Sequence, residues 1–136
     1  MDPRDNLTLA TFLASPPRGQ PQEACYRGAC GRAYYGAFAI ARDTLLAAGI
    51  AIPSSKEAHQ AVIRLLKTAT EIDIQAAGSA LDNLRSWRNE ADYDVGAKAP
   101  PTGFPRLREQ LSIVSAATIV STIDKHRSKG RKLWRP

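Results

Sequence analysis

The chain has 136 residues, a length typical of one domain that can bury a hydrophobic core. Its net charge is +6, but all 13 acidic residues and 13 of the 19 basic residues lie in residues 1–124, so the surplus belongs to residues 125–136. This distribution excludes a body that attracts nucleic acid through a general positive field, and leaves such a role to the tail.

Membrane, secreted and metal-binding classes are also disfavoured. The longest strongly apolar run, residues 111–123, is shorter than the roughly 20 residues of a membrane span. The N-terminus lacks the apolar core of a secretory signal, so we expect a soluble, cytoplasmic protein. Cys25 and Cys30 are five residues apart in one predicted helix and point away from each other, which predicts two buried or half-buried thiols. The two histidines have no ligand spacing, so we expect no metal and no cofactor.

No alternating strand pattern appears, and the chain is predicted to be all-α, an up-and-down bundle of four to five helices. Residues 1–22 are rich in Pro and Gly and predict an arm with a short helix at 7–14. Residues 23–124 form the predicted bundle. Its first long helix runs from about Gln22 to Ala48, and the glycines inside it (Gly28, Gly31 and Gly36) favour close approach of another helix.

The middle of the chain predicts two further helices. Ser54 or Ser55 caps a helix that carries an apolar row with Val62. His59 lies beside that row, and we expect it to be a solvated or capping side chain. The next helix begins near Ile72 and ends near Tyr93, and a loop at 96–103 follows it.

The last predicted helix begins at Thr102 or Gly103 and is apolar around most of its circumference. This pattern predicts burial on more than one side, either in the middle of the bundle or at a dimer face. Residues 125–136 then form a basic tail with two interpretations. It is solvated and flexible, or it is a phosphate-binding arm in which Arg131 and Lys132 contact phosphate and Trp134 stacks on a base.

The helix that ends near Tyr93 carries Arg88 where its apolar stripe should continue. An unpaired buried cation costs several kcal/mol, so Arg88 must have a partner or lie where the stripe opens into a cleft. Asp92 lies one helical turn further on, and Arg85 and Asn89 flank the same row. The sequence thus places a cation, an amide, a carboxylate and a phenol together at a helix edge.

Two segments resemble the signatures of HEPN domains. Residues 32–42, RAYYGAFAIAR, followed by Leu45 and Leu46, are similar to the first-helix signature of that family. Residues 85–93, RSWRNEADY, are similar to its later-helix signature, in the branch that ends in Ala-Asp-Tyr. Residues 54–59, SSKEAH, stand where that branch often has a Ser/His-containing helix start. The resemblance covers about residues 24–125.

The resemblance implies a HEPN-like helical bundle that forms a homodimer and acts on or binds RNA or nucleotides. Many HEPN proteins are metal-independent endoribonucleases of toxin–antitoxin, CRISPR and phage-defence systems, often beside a nucleotidyltransferase partner. Their motif is an Arg, a polar residue, and a His after four to six intervening positions. Arg88 and Asn89 match its first half, but Tyr93, Asp94 and Val95 stand where the His should be.

Three hypotheses follow. In the first, the protein is a ribonuclease with Arg88, Asn89, Asp92 and Tyr93 as catalytic candidates, and Arg85, Arg32 and Tyr35 as binding candidates. Arg88 suits the phosphate, but neither Asp92 nor Tyr93 replaces a histidine well near neutral pH. In the second, it is a non-catalytic module that binds RNA, a nucleotide or a nucleotidyltransferase partner. In the third, it is a structural dimeric bundle whose Arg88–Asp92 pair sets helix register.

Overall fold

The computed structural model describes residues 2–15, 18–93 and 106–134, and the side chains of 91–93, 106–109 and 131 fall outside this description. Within these residues the chain forms helices and no strand, which confirms the predicted all-α bundle. The predicted loop at 96–103 and the predicted helix start at Thr102 or Gly103 lie outside the described residues. The elements are α1 (Pro3–Ala14), α2 (Gln22–Ala47), α3 (Glu57–Lys67), α4 (Ile72–Tyr93), α5 (Arg106–His126) and a 3-10 segment (Arg127–Leu133).

Helix α2 is the centre of the bundle and contacts every other element. Alanines recur on it every four residues, and because they share one face, the neighbouring helices approach closely. Tyr34 and Leu45 are the largest side chains that α2 buries completely. The four alanines are all 1% exposed or less: Ala29, Ala33, Ala37 and Ala41.

Helix α1 begins four residues earlier than the sequence predicts, because Asp2 accepts a hydrogen bond from the backbone N–H of Arg4 at 2.9 Å and caps the helix. It packs directly on α2. A Cβ atom built on Gly36 of α2 would lie 3.0 Å from Leu7 of α1, and one built on Gly28 would lie 3.3 Å from Leu13 of α1. The expected close helix–helix approach is therefore confirmed at these two glycines.

Helix α3 is not capped by a serine as predicted. The N-cap residue is Lys56, which makes no side-chain cap hydrogen bond, and the Ser55 hydroxyl donates instead to the Glu57 carboxylate. The serine therefore lies outside the helix, on the connector that follows α2.

Helix α5 packs one face against α2 and α4 and leaves the opposite face exposed. Ala116, Ile119 and Ile123 are buried, whereas Val114 is 64% exposed and Leu111 is 42% exposed. The alternative that α5 runs through the middle of the bundle is therefore wrong, and the dimer-face alternative stays a prediction. Among the described helices, α5 included, none has the length and apolarity to span a bilayer.

The C-terminal segment is part of the core, which corrects the expectation of a solvated tail. Both the backbone N–H and the hydroxyl of Thr70 donate to the Leu133 carbonyl, at 3.0 and 3.2 Å. Leu133 is 2% exposed and Trp134 is 5% exposed. Trp134 is therefore not placed to stack on a base. The expectation was wrong because the surplus charge of the tail masked two large apolar side chains that the bundle can bury.

Candidate functional site

A groove of about 760 Å³ lies between α2 and the connector that leads into α3. Its α2 wall is one row of side chains, because the spacings of 3, 4, 3 and 4 residues place them on one helix face. Arg32 and Arg42 are ten residues apart, which separates their Cα atoms by about 15 Å along the helix. The row consists of Arg32, Tyr35, Ala39, Arg42 and Leu46.

The opposite wall exists because α2 stops sharply. Gly49 adopts a left-handed conformation (φ 83°) that ends the helix, and the backbone N–H of Ile50 bonds back to the Leu45 carbonyl at 3.0 Å. The chain then returns along α2 and contributes the connector residues 52–56 and His59 to the groove. At the far end α1 contributes Asn6, whose amide oxygen accepts a hydrogen bond from the Arg32 guanidinium at 3.4 Å.

The charge of the groove has one sign. Its described lining includes Arg32, Arg42 and Lys56 and no acidic side chain. Arg42 does contact the carboxylate of Asp43 at 3.3 Å, but both side chains are about half exposed, and such pairs contribute little. A concave site with only basic charged groups favours an anionic ligand.

His59 is the residue of this groove that sequence reasoning missed. Its Nδ1 lies 2.6 Å from the Tyr34 hydroxyl, and its ring stacks on Phe38 with centroids 4.3 Å apart. His59 does not cap the helix, as one expectation had it, and its ring is half-buried rather than fully solvated. A signal was present, because His59 stands four residues before Ile63 and seven before Leu66, which are both buried.

The bond to Tyr34 selects one tautomer of His59. Burial raises the pKa of Tyr34 far above its usual range, so the hydroxyl keeps its proton and donates it to an acceptor. Within the described residues that acceptor is Nδ1 of His59. The neutral ring then carries its proton on Nε2, which has no hydrogen-bond partner in the described structure. His59 therefore offers the groove a donor.

The protonation of His59 is set by its surroundings. Burial lowers the pKa of the His59 imidazole. The positive charges of Arg85, Arg88 and Arg42 lower that pKa further, in this order. The ring is therefore neutral near pH 7, which agrees with its role as an acceptor for the Tyr34 hydroxyl.

Arg88 is not among the lining residues of the groove but contacts one of them, Tyr35. Its guanidinium donates to the Tyr35 hydroxyl at 2.8 Å and to the Asn89 side-chain oxygen at 3.3 Å, and it lies 5.0 Å from the centroid of the Tyr35 ring. The structure thus brings three predicted site residues together, with Tyr35 between Arg88 and the groove. The side chains of Asp92 and Tyr93 are outside the described residues.

The remaining predicted site residues divide into two groups. Arg32 lines the groove, and Arg85 is half-buried and close enough to lower the pKa of His59. Lys132 is exposed on the C-terminal segment and does not line the groove, and the Arg131 side chain is outside the described residues.

A second titratable cluster joins the C-terminal segment to the start of α4. The ligand atoms of Glu71, Asp73 and His126 lie within 4.8 Å of one another, a grouping that the sequence spacing did not predict. The His126 imidazole lies 2.8 Å from the Asp73 carboxylate, and the Lys129 ammonium donates to Glu71 at 2.6 Å. The hydrogen bond to His126 lowers the pKa of Asp73. The Lys125 ammonium also lies 3.6 Å from the Asp73 carboxylate, so each carboxylate has a cationic partner and the cluster is an ion-pair network between the C-terminal segment and the start of α4.

We expect the Arg88→Gln substitution to raise the pKa of His59 toward its ordinary value of 6.5. The substitution removes a positive charge that disfavours the imidazolium. The measurement is an NMR titration of the His59 ring proton.

The sign of the pH dependence follows from the same shift. Because folding lowers the pKa of His59, its contribution to stability is complete above about pH 6.5 and is lost as the pH falls through the folded-state pKa. A His59 midpoint in Arg88→Gln that is unchanged, or lower than in the wild type, would contradict this electrostatic picture.

Comparison with protein-family models, curated proteins and solved structures finds no match, so the resemblance to HEPN domains stays a prediction that rests on its motifs.

Proposed function

We propose that this chain binds single-stranded RNA or nucleotides through the groove between α2 and α3. The observation that carries the proposal is the composition of that groove. Three basic side chains, Arg32, Arg42 and Lys56, and a neutral histidine with an available donor line it, and its described lining has no acidic group. Phosphate oxygens are the ligands that such donors prefer.

The aromatic residues make nucleic acid a better ligand than a simple anion. Tyr35 is 38% exposed and stands between the two arginines of the α2 row. Cations that follow a backbone, interleaved with a ring that can stack on a base, are the features of sites for single-stranded nucleic acid. The resemblance to HEPN domains supports the same class of ligand.

Arg88 has an indirect role in this proposal. It donates to the Tyr35 hydroxyl and packs on the Tyr35 ring, so it orients the side chain on which a base would stack. It also helps to keep His59 neutral. It is therefore a positioning residue, and the groove itself supplies the contacts to the ligand.

The test is the binding of a fluorescent oligo(U) strand, followed by anisotropy at several salt concentrations. We expect the logarithm of the affinity to fall linearly with the logarithm of salt, with a slope of about −0.7 for each phosphate contact. Single-stranded RNA that does not bind, or that binds with an affinity independent of salt, would overturn the proposal.

Metal-independent RNA cleavage is the second candidate function, and the position of His59 favours it. A histidine from α3 stands in the groove near Arg88, where the linear motif lacks one. Acting as a base requires the other tautomer, in which Nδ1 donates to the Tyr34 hydroxyl and Nε2 accepts the proton of the ribose 2′-hydroxyl. Binding needs no such change and is therefore the better supported function.

Incubation of the RNA with the protein in EDTA separates these two functions. A cleaving protein yields fragments that disappear in His59→Ala, because losing general acid–base help typically lowers rates by about 10²–10⁴. Intact RNA that nevertheless remains bound leaves the binding function alone.

A further inference from the structure

One end of the groove is apolar. Leu46, which is one helical turn beyond Arg42 in the α2 row, is 48% exposed although it is a large hydrophobic side chain. Two apolar residues of the connector line the same groove: Ile52, which is half-buried, and Pro53, which is exposed. Such a wall leaves apolar surface in contact with water until a ligand covers it.

The polar neighbour of this wall is suited to a flat ligand. The Arg42 guanidinium lies 5.5 Å from the centroid of the Phe38 ring, and its side chain is 40% exposed. A guanidinium plane held on an aromatic ring can stack on a nucleobase.

We infer that Leu46, Ile52, Pro53 and the Arg42 guanidinium form a nucleobase-binding subsite at the apolar end of the groove. The subsite takes the base of a nucleotide whose phosphate is bound by Lys56 or Arg32, the other basic side chains of the same groove. This inference rests on the proposed function and adds to it the part of the ligand that the apolar surface covers. The base contributes through buried apolar area and stacking, and the phosphate contributes through charge.

The test compares AMP with ribose 5-phosphate by isothermal titration calorimetry, since the two share the sugar and phosphate and differ by the base. We expect AMP to bind about tenfold more tightly, within the range that one stacked base contributes. In Leu46→Ala we expect the affinity for AMP to fall to that for ribose 5-phosphate, which itself should not change. Leu111→Ala is the matched control, because Leu111 is 42% exposed and does not line the groove.

Each other outcome has a definite meaning. Equal affinities for AMP and ribose 5-phosphate, or a Leu46→Ala variant that keeps the full advantage of AMP, would overturn the subsite and leave the phosphate groove standing. If neither compound binds, the subsite is overturned, and the oligo(U) titration decides separately whether the proposed function stands. Melting curves of both leucine variants check that an altered affinity does not come from unfolding, which is not expected at half-exposed positions.

Discussion

Replacing Trp134 by alanine is expected to lower the free energy of unfolding by about 3–5 kcal/mol, the usual effect of deleting a buried aromatic side chain. Trp134 is 5% exposed and packs in the main core together with Leu133. Its removal opens a cavity and weakens the docking of the C-terminal segment on Thr70. Chemical denaturation followed by circular dichroism measures the change.

Lys132→Ala is the control for this experiment, because Lys132 is exposed in the same segment. We expect the free energy of unfolding of this variant to lie within about 0.5 kcal/mol of the wild-type value. The opposite pattern is informative. If Trp134→Ala keeps the wild-type stability but loses RNA affinity, the tryptophan is a surface residue that stacks on bases, and the C-terminal segment is not part of the core.

Neutralising the basic side chains of the groove is expected to weaken RNA binding by roughly a hundredfold at about 0.1 M salt. In the proposed site each of these cations contacts one phosphate and releases its counterion, and this gain is lost when the cation is removed. The variant is Arg32→Gln, Arg42→Gln and Lys56→Gln combined, which removes the basic side chains of the groove. The slope of the salt dependence should become shallower by roughly 2. Anisotropy titrations with the same oligo(U) strand measure both quantities.

A second triple variant carries the same charge change elsewhere. Arg18, Arg64 and Lys132 are exposed and do not line the groove, so their replacement by glutamine also lowers the net charge by three. Because salt screens charges beyond about 10 Å, we expect this variant to bind nearly as well as the wild type. If both triple variants lose affinity equally, net charge and not the groove controls binding, and the proposed site is wrong.

Much of the local structure was predictable from the sequence because it depends on short-range patterns. The all-α class and the approximate limits of α2 and α4 follow from the helical spacing of apolar residues. Gly49 additionally predicts the end of α2. The buried state of Cys30 and the half-buried state of Cys25 also agree with their small, weakly polar side chains. The close packing at Gly28 and Gly36 was visible as glycines inside a helix, although the partner, α1, was not.

The groove was not predictable, since one wall is a helix and the other is mainly the connector that follows it. The α2 row from Arg32 to Leu46 is regular enough to be found in the sequence, but its pairing with the connector after Gly49 depends on how the chain turns. The sequence predicts that Arg88, an arginine in an apolar stripe, has a partner unless it lies in a cleft, and the structure gives it hydrogen-bond acceptors. One of its partners, Tyr35, lies 53 residues away in the chain, so the pair could not be found from a short sequence motif.

The sequence by itself determined the all-α class, the approximate limits of most helices, and that Arg88 needs a partner inside a helical bundle. Only the tertiary structure decided that His59 bonds to Tyr34, that the basic side chains share one groove, and that Trp134 belongs to the core. The physical reason is the range of the interactions. Helix formation depends on residues three or four positions apart, whereas burial, hydrogen bonding between helices and pKa shifts depend on neighbours that only the folded chain brings together.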